Sequence, residues 1–187
     1  MSTKSLHASA VDVLRGWVTT TEDDESLRHT YLAFLESAPE ACLRKHVPGH
    51  ITASSLVLDH SGTHVLLTLH PRVGKWIQLG GHCEKSDATV LDAAFREATE
   101  ESGMPGLTID PELLWAHSPP ITCSLGVPPR HLDLRFLVRA PEGAIPVCSS
   151  ESRDLAWWPV DDLPAGADHH SVGRLLELAR ARGALAA

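Results

Sequence analysis

The sequence lacks any Cys-x-x-Cys pair. Its four cysteines, Cys42, Cys83, Cys123 and Cys148, are scattered through 187 residues. That argues against a zinc ribbon or a disulfide framework and for reduced thiols in a cytoplasm. Cationic side chains are scarce: 16 Lys and Arg stand against 24 Asp and Glu, a formal net charge of −8. This balance argues against a broad basic surface for nucleic acid, although an acidic protein still binds a polyanionic phosphate when a metal ion supplies positive charge. No apolar run approaches bilayer length, and no basic segment followed by an apolar one opens the chain. Neither a signal peptide nor a membrane partner is therefore expected. Internal repeats and low-complexity tracts are missing too.

What is present is the composition of an ordinary globular protein, 43% hydrophobic and 21% charged. The length suits one domain with an appended segment. Residues 7–18 carry Val11, Leu14, Trp17 and Val18 at helical spacing, and residues 26–38 carry Leu27, Tyr31, Phe34 and Leu35. Together they predict a helical hairpin that Pro39 ends, with one further turn over 40–46. The acidic run 22–25 reads as a solvated helix start, favoured there by the helix dipole. Pro48-Gly49 marks a boundary, so the expected division is a helical extension over 1–45 and a main domain over 46–187. The two apolar helical faces of the extension need a partner, either the main domain or a second copy of the chain in a homodimer.

Beyond the boundary, 51–59 and 63–69 are β-rich runs joined by a His60-Ser61-Gly62 hairpin signature. Residues 73–79 form a third extended run, and 107–117 hold another, with Trp115 buried. Pro119-Pro120 and Pro128-Pro129 bracket a loop with the composition of an active-site lid. The alternation of Leu132, Leu134, Phe136 and Val138 argues for a strand over 131–140, and 154–160 for a last one. Trp157 and Trp158, neighbours on that strand, must point to opposite faces. Residues 174–185 read as a terminal helix. Strands bracketing one central helix, with a second helix at the end, give an α/β sandwich.

The chemistry concentrates between Trp76 and Met104. Asp87 reads as the N-cap of a helix over 88–102, and Gly103 with Pro105 as its stop. Leu91, Ala94, Phe95 and Ala98 lie on one side and predict a core-facing surface. Glu97, Glu100 and Glu101, spaced i, i+3, i+4, share a stripe. Three like charges so close repel, and a hard divalent cation such as Mg²⁺ or Mn²⁺ relieves that repulsion. Three glutamates alone read more simply as a solvated helix face. Arg96 directly before Glu97, and the Gly80-Gly81 turn upstream, tip the balance toward a site.

In this stretch the chain resembles the Nudix hydrolases, whose signature is G-x5-E-x7-R-E-U-x-E-E-x-G-U with U a bulky aliphatic residue. Gly81, Arg96, Glu97, Glu100, Glu101, Gly103 and Met104 occupy matching places. Ala98 is a small residue at the first U. Asp87 stands where the first Glu belongs, with eight residues rather than seven before Arg96. The resemblance covers about residues 48–165 and leaves the first 45 unexplained. It implies a mixed sheet between helices, a Nudix-like α/β/α sandwich, and a Mg²⁺-dependent hydrolase (Mn²⁺ as an alternative) cleaving a diphosphate linkage in a nucleoside diphosphate derivative or nucleoside triphosphate. It further implies Glu97, Glu100 and Glu101 as metal ligands, Glu97 also as general base, the Gly80 carbonyl completing the metal shell, and Arg96 orienting a carboxylate.

Other residues are weaker candidates. Glu84 and His82 in the loop, and Asp133 and Glu151 downstream, are candidates for contacts to substrate or metal. Asp87 reads more readily as a cap than as a ligand. Cys83 beside His82 has no second pair to complete a zinc site. Two other functions compete: a Nudix-like domain that senses a nucleotide metabolite without cleaving it, and an isopentenyl diphosphate isomerase-like enzyme. The first calls for loss of the glutamates, and none is lost. The second calls for a cysteine where this chain has Gly80. Pro120, sixteen residues after Met104, is a weak pointer to ADP-ribose as substrate.

Overall fold

A computed structural model describes residues 3–119, 130–148 and 152–186. The expected lid loop, Pro120, Cys123 and Glu151 lie outside them. The chain opens with two helices, α1 (Thr3–Gly16) and α2 (Glu22–Ser37). Thr21 caps α2 by accepting from the Asp24 amide, and Glu22, Asp23, Asp24 and Glu25 fill its first turn, where the helix dipole favours acid. One of these four is not solvated. Asp24 is buried and takes a hydrogen bond from Trp115 Nε1 at 3.1 Å, because α2 packs on the strand that carries Trp115. Leu6, Leu14, Tyr31 and Leu35, all at most 1% exposed, sit in the same core as the sheet.

The sheet is mixed. Strand β1 (Gly49–Leu58) runs parallel to β7 (Arg130–Arg139) through ten residue pairs, from Gly49↔Arg130 to Leu58↔Arg139. Around that pair the other strands are antiparallel. Strands β2 (His64–Leu69) and β4 (Leu79–His82) pair with β1, and β3 (Trp76–Ile77) and β8 (Leu155–Pro159) pair with β2. Strands β5 (Thr108–Ile109) and β6 (Trp115–His117) pair with β7. The run expected over 73–79 is thus two short strands, because β3 bonds to β2 and β4 to β1. The run over 107–117 likewise splits in two. Trp157 and Trp158 face opposite sides: Trp158 packs on the larger core and stands edge-on to Trp76, with centroids 5.3 Å apart, while Trp157 joins the smaller core.

Two helices complete the α/β sandwich, α3 (Val90–Ser102) and α4 (His169–Ala181). Helix α3 ends at Gly103, whose φ of 64° is a left-handed cap that suits glycine. Its buried side is Val90, Ala93, Ala94 and Ala98, while Phe95 is 36% exposed, so the predicted core stripe is turned by about one residue. Helix α4 begins five residues before the predicted start because Asp168 caps it, accepting from the Ser171 amide. The larger core joins the sheet to α1, α2, α4 and the first half of α3; the smaller takes Ala98 and Met104 at the other end of α3. Among the described residues no helix is long and apolar enough to cross a membrane.

Candidate active site

The site is built where α3 crosses β4. Helix α3 starts at a capping box: Thr89 Oγ1 accepts from the Asp92 amide while the Asp92 carboxylate accepts from the Thr89 amide. The cap is therefore Thr89 rather than Asp87. This corrects the sequence reading, and it frees Asp87 for another task. Asp87 is buried, and its carboxylate accepts from Arg96 Nε at 3.0 Å, from Arg96 Nη2 at 3.2 Å and from the Glu84 amide at 2.7 Å. The one-residue-longer loop does not carry the acid away from the helix. It folds under it and grips the arginine in a two-pronged ion pair.

Arg96 is the hub. Besides Asp87 it donates from Nη1 to Glu97 Oε1 and to Glu100 Oε2, each at 3.0 Å, and from Nη2 to the His82 carbonyl at 3.0 Å. Burial alone would pull its pKa down; the hydrogen bond to Asp87 and the charges of Glu97 and Asp87 reverse that and raise it. The guanidinium is thus a fixed positive charge holding three carboxylates. The two glycines of β4 let the acids come close. A Cβ on Gly81 would sit 2.5 Å from Glu97 Oε1, so glycine there leaves the carboxylate in the place where Arg96 holds it. Gly80 has φ 149° and a Cβ there would meet Ser54 at 2.5 Å, while its amide donates to Glu101 Oε2 at 2.9 Å. Glu97 is 13% exposed and Glu100 61%, so the stripe runs from the sheet out to solvent. Carboxylate oxygens gathered in this way form a hard donor set that fits Mg²⁺ or Mn²⁺.

The remaining candidates separate. Glu84 sits in the turn that Asp87 closes, with Ser86 Oγ on its carboxylate. Asp133 is buried on β7, and both its oxygens are engaged: Oδ1 by Thr52 and Ser54, Oδ2 by Ser54 and by Arg135 Nε at 2.7 Å. It thus serves a buried polar network that continues through Arg135 to Ser171 and His117. His82 carries its backbone into the Arg96 cluster and its ring elsewhere. The ring meets those of His50 and His131, with the three centroids 5.0, 5.0 and 5.1 Å apart. Sequence reasoning missed His50 and His131. Nothing local marks them, and only the Gly49–Leu58 and Arg130–Arg139 register sets them side by side.

Comparison with known proteins identifies the family. The model of the NUDIX domain matches residues 48–178. The chain belongs to the Nudix family. The NAD-capped RNA hydrolase NudC of Stutzerimonas stutzeri (strain A1501) is 32% identical over 146 residues, 76% of this chain and 49% of that protein. The chain thus spans about half the length of this curated relative. The C. elegans Ap4A hydrolase in a binary complex superposes with a TM-score of 0.57 at 21% identity, covering 72% of this chain and 97% of that one. A UDP-X diphosphatase superposes with a TM-score of 0.55 at 14% identity, covering 97% of both chains. At such identities the two structures speak for the Nudix fold alone.

Proposed function

We propose that this Nudix chain is a Mg²⁺-dependent pyrophosphohydrolase that cleaves the diphosphate linkage of a nucleoside diphosphate derivative or a nucleoside triphosphate. The observation that carries the reading is Arg96 clamping Asp87, Glu97 and Glu100 beside a glycine turn, with Glu101 on the Gly80 amide. Glu97, Glu100, Glu101 and the Gly80 carbonyl would hold the cation, which when bound polarises a phosphoryl oxygen and acidifies water. Glu97 takes the proton of the attacking water as its oxygen bonds to phosphorus and the bridging P–O bond breaks. Arg96 positions Glu97 and Glu100 and does not itself meet substrate. Glu84, the His82 loop and Glu151 are the proposed substrate contacts; Asp133 supports them from within its network. The relatives named above act, by their names, on NAD-capped RNA, Ap4A and UDP-X, all of which contain a nucleotide phosphoanhydride.

The domain division belongs to the same proposal: 1–45 is a helical extension and 46–187 the catalytic unit. The deciding experiment is a panel of nucleoside diphosphate derivatives and triphosphates incubated with Mg²⁺ and the full chain, with products identified by mass. Cleavage at a phosphoanhydride is the expected result. Binding of one of these compounds with no cleavage of any would replace the hydrolase with a sensor.

A further inference from the structure

His50, His82 and His131 come from three neighbouring strands. In the register of β1, His50 faces His131 on β7, and His82 on β4 faces Thr52 two residues further along. Each histidine offers one ring nitrogen, and the three nitrogens lie within 4.8 Å of one another. The Nε2 atoms of all three are buried and have no hydrogen-bond partner. His50 as a whole is 1% exposed. A buried polar atom left unsatisfied is costly, so three such atoms on rings packed against one another call for a partner.

The tautomer says what kind of ligand. His50 Nδ1 lies 3.3 Å from the His46 carbonyl, an acceptor, so Nδ1 carries the proton and Nε2 presents its lone pair. A carbonyl on the far nitrogen is the arrangement that orients metal-binding histidines. A lone pair presented in this way repels an anion and suits a cation. Burial disfavours the charged form of all three rings, and His131 adds to this at His50 and His82. The Asp133 charge acts on His82 and His131 in favour of a cation, and Arg44 acts against it. Asp133 itself is taken up by Thr52, Ser54 and Arg135.

We propose that His50, His82 and His131 form a second metal site, distinct from the glutamate stripe, for a divalent transition ion of the Zn²⁺ or Co²⁺ class. Imidazole nitrogen selects such ions over Mg²⁺. Three histidines leave a fourth position for water or a phosphate oxygen, the composition of an open zinc site. Tetrahedral bonds of about 2.0 Å would bring the nitrogens to a separation of about 3.3 Å. His82 belongs to both regions, since its carbonyl accepts from Arg96.

The test is Co²⁺ titration of the full chain after chelator treatment, followed by visible absorption and calorimetry. The expected result is a single Co²⁺ with d–d bands, displaced by Zn²⁺ and unaffected by millimolar Mg²⁺. Losing an outer partner of a ligand costs about 10–100-fold in affinity, so losing a ligand in His131→Gln should exceed about 100-fold. Glu100→Gln should bind as the parent does. His82→Asn, on another strand, reads the same loss if His131→Gln fails to fold. Absence of Co²⁺ binding, binding unchanged in both histidine variants, or binding lost in Glu100→Gln overturns the proposal, the last by moving the ion to the stripe.

Discussion

The glutamate stripe and the histidine cluster touch the same strand, β4, and are made in opposite ways. The stripe is local. Its glutamates share one helix, its arginine is the adjacent residue, and a short loop supplies Asp87. Its charges are strong, partly exposed and tied to one another. The cluster is non-local, with one residue from each of three strands, and each ring carries a buried Nε2 atom without a hydrogen-bond partner. A site of the first kind rests on the helix, the loop and the two glycines of β4 beside them. A site of the second kind exists only while the β1–β7 register holds.

The largest effect should come from removing the helices that share the larger core with the sheet. Deletion of residues 1–45 takes away Leu6, Leu14, Tyr31 and Leu35, each at most 1% exposed. At about 1.5–3 kcal/mol per buried side chain this rivals the whole stability of a domain. The truncated chain should be insoluble or lack a cooperative melting transition, and a soluble, cooperatively melting product would show that 46–187 stands alone.

Next comes Glu101→Gln. The amide keeps an acceptor for the Gly80 N–H and loses only the charge, so folding should hold while turnover falls by about 100-fold or more, about 2.7 kcal/mol. Near-parental turnover at limiting Mg²⁺ would remove Glu101 from the stripe's function. Asp87→Asn should do less to turnover, about tenfold. It should cost about 2 kcal/mol in urea unfolding, below the 3–5 kcal/mol of a fully buried broken pair, because Arg96 is 20% exposed and keeps Glu97 and Glu100. Unchanged stability would return Asp87 to a peripheral role.

A histidine outside both regions gives a baseline for pH. Burial, then the Arg135 charge, pushes the His117 pKa down to about 4. Its ring stacks on Trp115 and its Nδ1 lies 3.1 Å from Arg135 Nη2. Because the folded value lies below the unfolded value near 6.5, the stabilisation is present above 6.5 and is lost as pH falls toward 4. The slope is at most about 1.4 kcal/mol per pH unit for this group. His117→Gln should flatten that part of the thermal stability profile, and an unchanged slope would assign it to other groups. Smallest of all, Thr89→Ala should cost about 1 kcal/mol, the size of a lost N-cap, with turnover unchanged. A turnover loss as large as that of Asp87→Asn would mean that the cap positions the acid.

The sequence by itself determined the acidic stripe, Arg96 before it, the glycine turn and the helix stop at Gly103. All of these follow from spacings within one turn of helix or one loop, where covalent proximity settles who meets whom. It determined the strand alternation of β7 and the opposed faces of Trp157 and Trp158, since a pleat has a period of two. Three things were left to tertiary structure. Asp87 and Thr89 both have the chemistry of a cap; the capping box with Asp92 took the helix start, and the half-buried Arg96 guanidinium took Asp87. Asp24 looked solvated until α2 packed against Trp115. The histidines met only when β1 paired in parallel with a strand far along the chain, a register set by hydrophobic burial on both faces and invisible to any local pattern.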